Sequence, residues 1–112
     1  MRRLHLFFLG IFLLPAVLHA GPIYGSLTEG GKGLKPATAI EIKCGDAVTK
    51  GETAKAGDGS YRINVIPQGQ CSLTLPEYAG HPQIVVFSYA NPAQYDFELV
   101  KRPDGNYELK KR

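Results

Sequence analysis

The chain has 112 residues, thirteen basic and ten acidic, and a formal charge of +3. That length allows one small domain, and 44% hydrophobic residues can supply its core. So slight a charge, with no basic face interleaved with aromatics, argues against nucleic acid as a partner.

Part of the charge belongs to the first twenty residues. Arg2 and Arg3 precede an almost wholly apolar run from Leu6 to Leu18, and Ala20 places a small residue before Gly21. This is the pattern of an export signal, with cleavage expected between Ala20 and Gly21. The run falls short of the about 20 residues that a bilayer span needs, and Pro15 lies near its end. Residues 1–20 are therefore expected to form a cleavable signal helix, with membrane contact only during export. An uncleaved N-terminal anchor is the competing reading. Residues 21–112 form the expected mature domain, with eleven basic and ten acidic residues and a formal charge of +1. Its expected destination is the periplasm or the exterior. Lys110-Lys111-Arg112 reads as a solvated charged tail.

The strand signals follow in chain order. Ile23 to Leu27 alternates, and Glu29-Gly30-Gly31-Lys32-Gly33 breaks the pattern. In Thr38 to Cys44, Ile40, Ile42 and Cys44 share one face, and Glu41 and Lys43 take the other. Ala47 to Ala54 is polar, and its Lys50 and Glu52 suit an edge that must not recruit neighbours. Ala56 to Ser60 is a turn cluster, followed by a strand with Tyr61, Ile63 and Val65 inward. Pro67-Gln68-Gly69 turns the chain into a strand on which Cys71, Leu73 and Leu75 alternate with Ser72 and Thr74. Pro76 to Pro82 is irregular. Ile84 to Tyr89 is the most apolar stretch and reads as a central strand. After the turn at Asn91-Pro92, Tyr95, Phe97 and Leu99 alternate with Asp96 and Glu98. Asp104-Gly105 signals a hairpin into a last strand holding Tyr107 and Leu109. No stretch of the mature chain sustains a helical period. The expected fold is all-β: a small seven- to eight-stranded sandwich of antiparallel or mixed sheets.

Only two cysteines occur, Cys44 and Cys71, both in the exported part and both on the inward phase of their strands. In an oxidising compartment such a pair reads as a disulfide. Metal binding competes poorly. His5 and His19 leave with the signal, so His81 is the one mature histidine, and no zinc-ligand spacing is present. No C-x-x-C marks a reactive thiol pair. No cofactor and no metal are expected.

Four segments, in order, carry a family resemblance. They are Ile23 to Leu27, Leu34 to Ile42, Asp58-Gly59-Ser60-Tyr61-Arg62-Ile63, and Pro67-Gln68-Gly69-Gln70-Cys71-Ser72-Leu73-Thr74-Leu75. Together they resemble the carboxypeptidase regulatory-like domain, a transthyretin-like (prealbumin-like) β-sandwich, here in a standalone exported form. The likeness covers Ile23 to about Leu75, with a continuation to Leu99. It implies an accessory module, since this family decorates enzymes, transporters and surface proteins, and fold alone does not give function.

Catalytic chemistry has little support in these residues. A Ser-His-Asp arrangement would have to join His81 to Ser60, Ser72 or Ser88, and no nucleophile elbow surrounds any of them. Asp96 and Glu98 share a strand face and offer an acid/base pair, though a solvated sheet face explains them more simply. No catalytic residue is assigned. Six mature tyrosines favour binding instead, because aromatic faces stack on sugars or anchor protein partners. Tyr61 and Tyr95 are expected inward. Tyr24, Tyr89 and Tyr107 sit in or beside strands and loops, and Tyr78 is expected to be exposed. Tyr78 and His81 are therefore the candidate binding surface, with strand addition along Ala47–Ala54 as a second route. The expected function is a non-catalytic exported module that contacts a protein or serves an accessory structural role in the periplasm or at the cell surface. A carbohydrate-binding module using exposed tyrosines is the first alternative, and an enzyme inhibitor or hydrolase the second. An exposed coplanar aromatic pair would favour the glycan reading, and a concave site holding His81 with a carboxylate would favour the enzyme. The oligomeric state is not legible.

Overall fold

The computed structural model describes residues 20–65 and 67–112. The predicted signal up to residue 19, and Ile66, lie outside them. The described chain is all-β, as its alternating pattern requires. Its strands are β1 (Pro22–Glu29), β2 (Lys32–Gly33), β3 (Ala39–Cys44), β4 (Ala47–Glu52), β5 (Ser60–Asn64), β6 (Gly69–Thr74), β7 (Gln83–Ser88), β8 (Ala93–Gln94), β9 (Phe97–Lys101) and β10 (Tyr107–Lys111). Two of the ten strands are two-residue pieces, and the other eight match the count expected from the sequence.

They form two sheets. One is antiparallel, in the order β4-β3-β6-β7. The other is mixed and is organised by β1, which pairs antiparallel with β5 and β2 and parallel with β8 and β9; β10 closes onto β9. β4 lies beside β5 at one side of the sandwich, and β7 beside β10 at the other. The inward phases meet between the sheets. Ile23, Leu27, Ile40, Ile42, Leu73 and Phe97 are among the side chains with essentially no exposure, and this shared apolar layer is the main source of stability.

Polar Ala47–Glu52 is an edge strand, as its charges suggest. The Ile84–Tyr89 segment corrects the sequence reading. β7 is not central but the opposite edge of the same sheet. Its apolar character arises because the outward phase, Val85 and Phe87, is as apolar as the inward one.

Cys44 and Cys71 are joined by a disulfide. The pair continues the β3–β6 register, one step beyond Lys43 and Ser72, and both residues face the core. Their Cα atoms are 4.2 Å apart, the close approach of a pair without mutual backbone hydrogen bonds. The bond therefore staples two neighbouring strands of one sheet.

Gly25 is forced by packing. A Cβ there would lie 1.8 Å from the Tyr95 carbonyl oxygen, where the chain passes from β8 to β9 along β1. Asp58-Gly59 makes the expected turn. Gly59 has φ 78°, and Asp58 Oδ1 accepts from the Ser60 N–H at 3.0 Å and from Ser60 Oγ at 2.7 Å.

Two predictions concern stability. Closing a loop of 27 residues' separation contributes about 3–4 kcal/mol on the chain-entropy account. Urea unfolding should show Cys44→Ser, Cys71→Ser and the double variant losing this same amount, because one bond is lost in all three. Gly25→Ala should cost about 3 kcal/mol or more, since backbone must move. Exposed Gly30→Ala meets no neighbour and should cost only the about 1–2 kcal/mol of a left-handed alanine.

Candidate functional site

The 75–82 loop is built from tight turns: the Tyr78 N–H donates to the Leu75 carbonyl at 3.3 Å and the His81 N–H to the Tyr78 carbonyl at 2.9 Å. Tyr78 is not free as expected. It is half-buried against the core, and its ring meets Tyr107 edge-on, with centroids 5.1 Å apart. Burial raises its phenol pKa, with the charge of Glu29 adding to the effect. His81 is exposed and takes φ 44°, a left-handed conformation that histidine tolerates better than most side chains.

His81 lines a polar recess of about 360 Å³ with Arg102, Tyr107 and Glu108. A histidine and a carboxylate thus do share a concavity, but none of its lining residues is a serine, threonine or cysteine. Arg102 is engaged with Asp104 at 3.2 Å. The serines weighed as partners lie elsewhere. Ser60 bonds Asp58 in the turn before β5, Ser72 lies on β6 among residues facing outward, and Ser88 is buried under β7. A second recess, of about 400 Å³, lies beside Tyr24, Glu52, Tyr61 and Arg62. Among the described residues no group of three or more His, Cys, Asp or Glu side chains is placed to hold a metal ion.

Asp96 and Glu98 lace strands together. Asp96 Oδ1 accepts from the Ser26 N–H at 2.9 Å and from Ser26 Oγ at 3.1 Å, and its Oδ2 accepts from Gln94 Nε2 at 3.1 Å. Glu98 accepts from Thr28 Oγ1 at 2.6 Å and from the Gly30 N–H at 2.7 Å. The Thr28 bond, with the Gly30 and Gly31 amides, holds its carboxyl below the usual carboxylate range. Asp96 Oδ1 and both oxygens of Glu98 thus join β1 and the turn after it to the Asp96–Glu98 segment, while Asp96 Oδ2 is taken locally by Gln94.

The face that sequence reasoning missed is the outer side of the β4-β3-β6-β7 sheet. Among the described residues, the large apolar side chains most exposed are Val48 at 49%, Val85 at 50%, Phe87 at 40% and Tyr89 at 52%. Register puts Val48, Val85 and Phe87 on this side, and Tyr89, just past β7, stacks on Phe87. Val48 pairs with Lys43 and Val85 with Ser72, both on the outward phase, and Phe87 continues the phase of Val85. The Phe87 and Tyr89 rings run nearly parallel, 23° apart, with centroids 6.3 Å apart. The neighbours on β6 are uncharged: Gln70 opposite Phe87, Ser72 opposite Val85 and Thr74 opposite Gln83.

Two backbone groups on the edge beside these rings are already bonded. The Phe87 N–H points away from β6 and donates to the Tyr95 hydroxyl at 2.9 Å. The Tyr89 carbonyl accepts the Gly21 N–H at 2.7 Å. Tyr95 is held in turn by its N–H to the Tyr24 carbonyl, by its own carbonyl accepting the Tyr61 hydroxyl at 2.7 Å, and by stacking on Phe97. No protein-family model matches the chain, and no curated protein matches it.

Glu98 supplies a pH test. Its folded pKa lies below the usual 4.5, so its contribution is complete above that value and disappears as pH falls through the folded pKa. Thr28→Val, which removes the main donor, should lower the melting temperature at neutral pH. As pH falls through the lowered folded pKa of Glu98, the wild-type and variant curves should draw together. Melts followed by circular dichroism across that range check this.

Proposed function

We propose that this protein is a small exported, non-catalytic binding module whose contact surface is the outer face of β7. The carrying observation is that Val85, Phe87 and Tyr89 form one exposed apolar strip. Such a strip on a small domain marks a contact site more often than chance. Export to the periplasm or exterior is supported by Arg2, Arg3, the Leu6–Leu18 run and Ala20. The Cys44–Cys71 bond is compatible with an oxidising compartment. A standalone carboxypeptidase regulatory-like, prealbumin-like module is supported by the ordered motifs quoted above and by a two-sheet sandwich.

Hydrolysis is the second reading, favoured by the recess shared by His81 and Glu108. It is the weaker one, because that recess is lined by no serine, threonine or cysteine and Arg102 is already paired.

Photo-crosslinking in cells that make the protein tests the contact face. A photoreactive phenylalanine analogue at Phe87 or Tyr89 should give a discrete adduct, whether with protein or with glycan. The same analogue at exposed Lys101, on the other sheet, should give none. Adducts equal at all three positions, or absent at Phe87 and Tyr89, would show the face is not a contact surface.

A further inference from the structure

We infer that the Phe87–Tyr89 face binds a neutral pyranose oligosaccharide, with sugar rings laid on the two aromatic side chains. This rests on the reading of that face as the contact surface and adds the class of its ligand.

Three features of the face select this occupant. The first is ring geometry. Two exposed rings stacked on one another, with centroids 6.3 Å apart, form a continuous apolar ridge against which pyranose rings, made apolar on one side by their axial C–H groups, can pack. The second is the lining. The face of a sugar is apolar and its rim is hydroxyl, so its partner needs groups that both donate and accept. The Gln70 amide and the Ser72 and Thr74 hydroxyls do both, and they lie directly across from Phe87, Val85 and Gln83. The charges of this face, Glu41 and Lys43 on β3 and Lys50 and Glu52 on β4, sit two and three strands away from the rings. An uncharged ligand is therefore complementary to the β6–β7 half.

The third feature is that macromolecular occupants fit poorly. An added strand needs a ladder of free backbone groups along the edge, and two of these, the Phe87 N–H and the Tyr89 carbonyl, are taken by the Tyr95 hydroxyl and the Gly21 N–H. A second copy needs area. At 40% and 52% exposure, the two rings offer together roughly 140–230 Å². A stable protein interface takes about 800 Å² from each partner. The patch matches the footprint of a few sugar rings.

The test is titration of the exported protein with cellohexaose, maltohexaose and chitohexaose, followed by amide chemical shifts. At millimolar sugar, at least one should saturably shift Gln70, Ser72, Val85, Phe87 and Tyr89 while leaving Val48 unmoved. Phe87→Ala and Tyr89→Ala should each weaken binding roughly five- to tenfold. Tyr89→Phe keeps the ring and should retain most affinity, whereas Tyr89→Leu keeps apolar bulk and should not; this pair holds the test if an alanine variant misfolds. No shift with any of the three sugars overturns the inference, as do shifts that survive Phe87→Ala and Tyr89→Ala together. A protein adduct from the crosslinking experiment without sugar-induced shifts overturns the glycan assignment alone and leaves the contact face standing.

Discussion

The close passage of Tyr95 over Gly25 is the constraint on which both the sandwich and the exposed face of β7 depend. β1 carries neighbours on both of its edges, and the chain must shift from β8 to β9 along one of them. The shift brings the Tyr95 carbonyl into the space where any side chain at position 25 would stand. Held there, Tyr95 accepts the buried Tyr61 hydroxyl on its carbonyl and sends its own hydroxyl across to the backbone of β7. One residue thus ties the mixed sheet to the edge of the antiparallel one. Burial, with the charge of Asp96 adding to it, drives the Tyr61 phenol pKa upward, so it remains a neutral donor in this junction.

This junction gives β7 its particular character. An exposed apolar edge strand invites pairing with other chains, and natural proteins blunt such edges. β4 is blunted by charge, through Lys50 and Glu52. β7 is blunted by internal hydrogen bonds, from the Phe87 N–H to Tyr95 and from the Gly21 N–H to the Tyr89 carbonyl. With these two groups taken, the edge beside Val85, Phe87 and Tyr89 is a poorer template for strand addition. Stickiness then lies mainly with the side chains, which suits a ligand recognised by surface stacking.

Elsewhere, polar groups serve as fasteners. Asp96 and Glu98 satisfy amides and hydroxyls of β1 and the turn after it. Asp58 does the same for Ser60, whose hydroxyl is the largest cause of its lowered pKa. The disulfide sets the β3–β6 register at one end of the antiparallel sheet. The domain is thus secured at its turns and strand ends around one apolar layer, and the outer face of β7 is left open.

Alternation in Thr38–Cys44, Tyr61–Val65 and Cys71–Leu75 was sufficient by itself to determine strands, their inward faces and the cysteine pairing, because a period of two assigns each residue a side. The Asp58-Gly59 and Asp104-Gly105 turns were legible for the same local reason, their backbone chemistry. The place of a strand within its sheet was not legible. In Ile84–Tyr89 both phases are apolar, so a central strand covered on both sides and an edge with an exposed face read alike. Ser88 on the inward phase, opposite an aromatic outward phase, was the one local hint. Tyr78 was misjudged because its partner, Tyr107, lies far along the chain. Only the tertiary structure could place Tyr95 against β7, bring Phe87 and Tyr89 onto one side with Gln70, and separate His81 from every serine. Those relations depend on which strands become neighbours, and that is decided by burying all inward faces at once rather than by any segment's own pattern.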